Sequence, residues 1–79
     1  TMATPTEEQI KIANDIIEAK RLLDKGHFFS DVMSKIGIKE EEWKNFYRKQ
    51  AIIYHPDRRN KDFNAEHNAL FDNAFKALG

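Results

Sequence analysis

The chain of 79 residues has no cysteine. Neither a disulfide framework nor a thiolate metal site is open to it, so packed apolar side chains must hold it together. Glycine and proline are scarce, at three and two residues, which suits long amphipathic helices better than a turn-rich sheet. No run approaches the roughly 20 apolar residues that span a bilayer. Thr1, Met2 and Ala3 lack the basic and apolar regions of a secretory signal, so the expected setting is intracellular and cytoplasmic, with no membrane segment. The length excludes a second domain and allows one modest core.

What remains reads as four helices. Thr4-Pro5-Thr6-Glu7 is a helix start, with Thr4 capping, Pro5 in the first helical position and Glu7 closing a capping box; Thr6 with Gln9 fits two residues later. Ile12, Ile16, Ala19 and Leu23 then recur at helical spacing, flanked by Ile10, Ala13 and Ile17, until Gly26 ends this first helix. From His27 to Ile36 a short, largely buried helix is expected, with Phe28, Phe29, Val32, Met33 and Ile36 inward, Ser30 or Asp31 near its start and Gly37 at its end. Glu40, Glu41 and Glu42 favour the positive end of a third helix running to about Tyr54, with Trp43, Phe46, Tyr47, Ala51 and Tyr54 as its apolar stripe. Pro56 disfavours helix at His55, so residues His55 to about Asp62 form an exposed loop. Asp62 or Asn64 caps a last helix with Leu70, Phe71, Ala74, Phe75 and Leu78 inward.

The formal net charge is zero, but Lys44 to Lys61 holds six basic residues against one acidic, Asp57, a local net charge of +5. Such asymmetry bears on partner choice and points to an acidic partner surface. Lys44, Arg48 and Lys49 taken alone read as a solvated helix face, and Pro and Asp after a helix read as an ordinary turn. Basic residues beside Tyr47 and Tyr54 also suit a nucleic-acid binder that tracks phosphates and stacks bases. The zero overall charge and the lack of a groove-reading motif count against that reading. His27 and His67 stand alone without clustered ligands, so no metal is expected. Phe28, Phe29, Trp43, Phe71 and Phe75 are assigned to the core. No nucleophile, base and oxyanion donor form a set, so an enzyme is not expected.

Trp43-Lys-Asn-Phe-Tyr-Arg-Lys-Gln-Ala-Ile-Ile-Tyr-His-Pro-Asp57 closely resembles the pattern of the J domain, found in the DnaJ (heat shock protein 40) co-chaperones. There an apolar residue and two polar ones precede Ala-Tyr-Arg-Lys-Leu-Ala and then Tyr-His-Pro-Asp. The likeness extends to Arg58-Arg59-Asn60 and to Ala74-Phe75-Lys76-Ala77-Leu78, covering roughly Phe28 to Leu78. Three residues recur by chance, but here they sit on a loop between a basic helix and another helix.

The resemblance implies an all-α fold in which two long antiparallel helices, joined by the His-Pro-Asp loop, follow a short helix. It implies a monomeric module without a cofactor that docks on a DnaK-type heat shock protein 70 chaperone and promotes hydrolysis of that partner's ATP. Carried over residue by residue, Lys44, Tyr47, Arg48 and Lys49 would be the docking face. His55, Pro56 and Asp57 would be the trigger, with Arg58 and Arg59 as accessories. Members usually carry this module within a longer protein, so the chain reads as one piece of such a protein.

Departures from the pattern are informative. Gln50 stands where a core leucine is usual, Phe46 replaces a common alanine, Ile53 occupies a usually polar position, and Asn68 replaces a frequent phenylalanine. They leave room for a degenerate scaffold that keeps the helices without stimulating an ATPase. The first helix, within residues 4–26, is extra to the family; the expectation is that its Ile/Leu stripe lies against the 28–78 body and covers Ile53. The expected hairpin core is Trp43, Phe46, Tyr47, Phe71 and Phe75.

Overall fold

The computed structural model describes residues 3–79, so the reading of Thr1 and Met2 lies outside the described residues. All regular structure among them is helical: α1 (Glu7–Asp24), α2 (Phe29–Lys35), α3 (Trp43–Tyr54) and α4 (Ala65–Leu78), with 3-10 turns at Glu40–Glu42 and Pro56–Arg58. No helix among them is long and apolar enough to cross a membrane.

Local chemistry places the helix ends. Of the two frames for the start of α1, the later one forms: Thr6 Oγ1 accepts from the Gln9 amide at 3.0 Å and Gln9 Oε1 accepts from the Thr6 amide at 3.0 Å, a complete capping box. The Thr4 and Pro5 frame is thereby corrected. Pro5 lies before the cap and is buried. At the other end the amides of Gly26 and His27 reach back to the carbonyls of Leu23 and Leu22, and Gly26 takes φ +96°. Gly37, at φ +79°, ends α2 in the same way, with Ile38 bonded to the Met33 carbonyl. Both closures need a left-handed residue, which glycine adopts without steric cost. Asn64, not Asp62, caps α4, accepting from the His67 amide at 2.8 Å.

The centre of the fold is α4, and α1 lies against it more extensively than α3 does. The buried row of α1 is Ala13, Ile16, Ala19 and Leu22, successive steps of three that bring one inclined ridge onto its neighbours. Leu22 therefore takes the inward place expected of Leu23, which is half-buried. Ala13 and Ala74 are fully buried, and their small side chains let α1 and α4 approach closely. Two clusters result. One joins Ala13, Ile16, Tyr54, Phe71 and Ala74, with Ile53 packed against it; the other joins Ala19, Leu22, Val32 and Met33, with Trp43 at its edge.

α3 and α4 run antiparallel, the Tyr54 ring meeting Phe71 at 4.7 Å while Trp43 and Phe46 line one pocket with Ala77 and Leu78 at the far end. The core is not the pairing of these two helices alone. Because α1 also needs cover, α3 turns Phe46, Gln50, Ile53 and Tyr54 inward, which leaves Tyr47 on a flank and exposed. Phe28 is also corrected: it is 76% exposed, because it precedes a two-turn helix whose inward positions are Val32 and Met33. Neither Ser30 nor Asp31 caps that helix, which starts after Phe28 without a side-chain cap. Phe29 is exposed too, leaning its ring on Trp43 at 5.2 Å.

Tyr54 is the largest fully buried side chain, and its hydroxyl donates to the Gln9 carbonyl at 2.6 Å, tying the end of α3 to the start of α1. Burial, with smaller help from Glu8 and Asp15, pushes its phenol up to about 12 from 10.0. The unfolded chain then loses this proton first as pH rises, so the folded state is fully favoured below about pH 10 and loses stability toward about 12. The advantage of the wild type over Tyr54→Phe, of order 1 kcal/mol near neutrality for one hydrogen bond, should shrink or reverse by pH 11.5. Urea unfolding of both proteins between pH 8 and 11.5 reads this, and a constant difference would sink it.

Candidate functional site

The loop that leaves α3 is a series of hydrogen-bonded turns. His55 is extended, at φ −61° and ψ 134°, as a residue before proline prefers. Pro56 opens the 3-10 turn, where its missing amide hydrogen costs nothing. The Arg58 amide donates to the His55 carbonyl at 3.0 Å and the Arg59 amide to the Pro56 carbonyl at 3.2 Å. The first free donor of the turn, the Asp57 amide, is taken by His55 Nδ1 at 3.0 Å. An accepting Nδ1 carries no proton, so in this arrangement the neutral ring holds its hydrogen on Nε2. The ring rests edge-on against Phe75 at 5.0 Å. The Asp57 side chain is 91% exposed, its Oδ2 3.9 Å from His55 Nδ1. Farther on, Asn60 Oδ1 accepts from the Asp62 amide at 2.8 Å, a local turn of the kind asparagine favours.

Arg59 is the internal brace of this loop. Only 8% of its side chain is exposed. One terminal guanidinium nitrogen donates to the Tyr54 carbonyl at 2.9 Å; the other terminal nitrogen binds the Asp72 carboxylate and reaches the Asn68 carbonyl at 3.4 Å, while Nε is buried without a partner. The guanidinium also lies 5.8 Å from the centroid of the Phe71 ring. The end of α3, the loop and the middle of α4 are thus fastened by one side chain. Asn68 joins in, its amide donating to the Phe63 carbonyl at 3.3 Å, which is what this polar residue does in a position where the resemblance had suggested a phenylalanine.

The nine residues singled out from sequence do not share one face. Tyr47, Ala51, Ile52, His55, Asp57, Arg58 and Phe75 line an open groove of about 860 Å³, with the exposed Lys44 and Arg48 on the outer side of α3. Lys49 stands two residues from Tyr47, about 200° around the helix. It borders a different groove with Glu8, Ile12, Ile38, Glu42 and Phe46. Arg59 points inward, away from the exposed basic residues. Ile52, exposed and apolar on the rim, was not singled out from sequence. Its signal was its place four residues after Arg48, on the basic face and off the apolar stripe.

Gln50 is 2% exposed, and its amide oxygen is buried without a hydrogen-bond partner. Among the described residues no group of three or more His, Asp or Glu side chains is placed to hold a metal ion. The groove thus brings the exposed Asp57 carboxylate beside Arg58 and the apolar side chains of Ile52 and Phe75.

Against protein-family models, curated proteins and solved structures the chain finds no match.

Two substitutions separate brace from burden. Arg59→Ala removes the partner of a half-exposed Asp72 and frees the Tyr54 carbonyl, and should cost about 2 to 4 kcal/mol. Gln50→Leu removes a buried unpaired acceptor and should add about 1 to 2 kcal/mol. Chemical denaturation of each measures the sign and size, and a destabilised Gln50→Leu would mean that the amide has a partner the fold relies on.

Proposed function

We propose that this chain is a J domain, a co-chaperone module that docks on a DnaK-type chaperone and promotes hydrolysis of the partner's ATP. The observation that carries the reading is the Asp57 carboxylate, 91% exposed, on a hydrogen-bonded turn that shares one groove with Tyr47, Arg58 and Phe75. It is supported by the exposed cations Lys44 and Arg48 on the same helix as Tyr47 and by the likeness of Trp43 to Asp57 to the J-domain pattern. Antiparallel α3 and α4, joined at this turn, support the reading, because that fold pairs two long helices across its loop; α1 would be an addition to it.

In this function the roles divide by geometry. Lys44 and Arg48 attract an acidic surface and raise the rate of encounter. Tyr47, Ile52 and Phe75 offer apolar area beside them, and Asp57 takes a charge-assisted hydrogen bond from a guanidinium of the partner. Arg58 lies on the same groove, while Lys49 borders the other groove and serves only at the edge of the footprint. Arg59 acts from within, by holding the loop. The module forms and breaks no bond: it favours one state of the chaperone by binding that state more tightly.

The test is single-turnover ATP hydrolysis by a DnaK-type chaperone with and without the domain. Stimulation should fall by about 10-fold or more in Asp57→Asn, a loss of at least about 1.4 kcal/mol of coupling. Arg48→Glu should weaken it further as salt is lowered, because repulsion is screened less. A folded wild type that stimulates no chaperone would leave the helices as an interaction scaffold, and salt-sensitive binding to nucleic acid that survives Asp57→Asn would favour the other reading of the basic stretch.

A further inference from the structure

We propose that His55 is a positioning residue: its imidazole caps the Pro56–Arg58 turn, and its contribution to partner binding is the placement of the Asp57 carboxylate. For its binding arm this rests on the chaperone-docking reading; for its structural arm it rests on the loop alone.

Three observations converge on the imidazole. Its residue has the extended backbone of a cap, φ −61° and ψ 134°, directly before a turn. Its Nδ1 accepts from the Asp57 amide at 3.0 Å. Its ring is seated edge-on against Phe75 at 5.0 Å, which limits rotation about the side chain. Caps are ordinarily Ser, Thr, Asn or Asp, whose oxygen satisfies an amide that the turn leaves free. Histidine Nδ1 and asparagine Oδ1 are both bonded to Cγ, so a histidine with an unprotonated Nδ1 stands in for an asparagine cap.

The sequence gives this cap a specific task. Pro56 has no amide hydrogen, so the first donor needing satisfaction in the turn belongs to Asp57. Fixing that amide fixes the Cα from which the carboxylate projects. A bond from His55 to the Asp57 backbone therefore sets the aim of a side chain that is itself almost wholly in solvent. The one nitrogen left to the imidazole, Nε2–H, is on a ring 43% exposed and makes no contact on which binding depends.

Asparagine keeps the capping atom and discards the ring, whereas glutamine keeps an amide but moves it one methylene too far. The experiment compares wild type, His55→Asn, His55→Gln and His55→Ala in two ways. On the free protein, nitrogen NMR should show the Nε2–H tautomer of His55, and exchange of the Asp57 amide should be similarly slow in wild type and His55→Asn. Exchange should be about five-fold faster in the Gln and Ala variants, the loss expected of one cap. On a DnaK-type chaperone, His55→Asn should bind within about three-fold of wild type, and His55→Gln about five-fold or more weaker.

An Nδ1–H tautomer, or an Asp57 amide equally protected in all four proteins, would overturn the cap. A His55→Asn protein that protects the amide but binds as poorly as Asp57→Asn would overturn the positioning role and make the imidazole a direct contact. If the wild type binds no such chaperone, the docking reading fails, while the tautomer and exchange comparisons still decide the cap.

Discussion

The end of α3 is held from two directions, and the rest of the molecule depends on that junction. The Tyr54 phenol reaches the first turn of α1 through the Gln9 carbonyl, while the Tyr54 carbonyl is held by Arg59, which in turn grips α4 through Asp72. One residue therefore joins three helices, and it does so at the point where the chain turns into the loop. Hydrophobic burial supplies the driving force, but it is non-directional. These polar ties fix which way the loop faces.

The helices and several of their ends were legible in the sequence because their causes are local: Thr6 and Gln9 as one of two capping frames, Gly26 and Gly37 as left-handed closures, Pro56 as a break. What α1 does to the rest was harder to read. Period alone could not say that α4 would be shared by two neighbours, and that sharing rotates α3 so that Gln50 is buried and Tyr47 is not. Phe28 misled for a related reason, since a hydrophobic residue at the edge of a seven-residue helix has no second layer to enter.

The site was partly legible in the same sense. Lys44, Arg48 and Asp57 are exposed and His55 half-exposed, a consequence of their spacing on α3 and the turn that follows. The inward course of Arg59 was not, because its partners Asn68 and Asp72 lie on α4, nine and thirteen residues later, and only the folded hairpin brings them within reach. Likewise, nothing in the string Tyr-Arg-Lys distinguishes Lys49 from Arg48; a helix of 3.6 residues per turn with α1 on one flank does.

The two hydrophobic clusters meet along α1, which contributes Ala13 and Ile16 to one and Ala19 and Leu22 to the other, and again on α3, where Trp43 lies 6.1 Å from Phe46. The second cluster is the smaller in side-chain volume, and α2, its other contributor, is seven residues long and lacks a side-chain cap. Local opening free energies follow buried contact and capping, so α2 is the element with least to lose by detaching. The single tryptophan, Trp43, sits at that seam against Phe29. Its emission is thus a gauge of the α2 end of the molecule, and it can change while the loop at the opposite end of α3 is still in place.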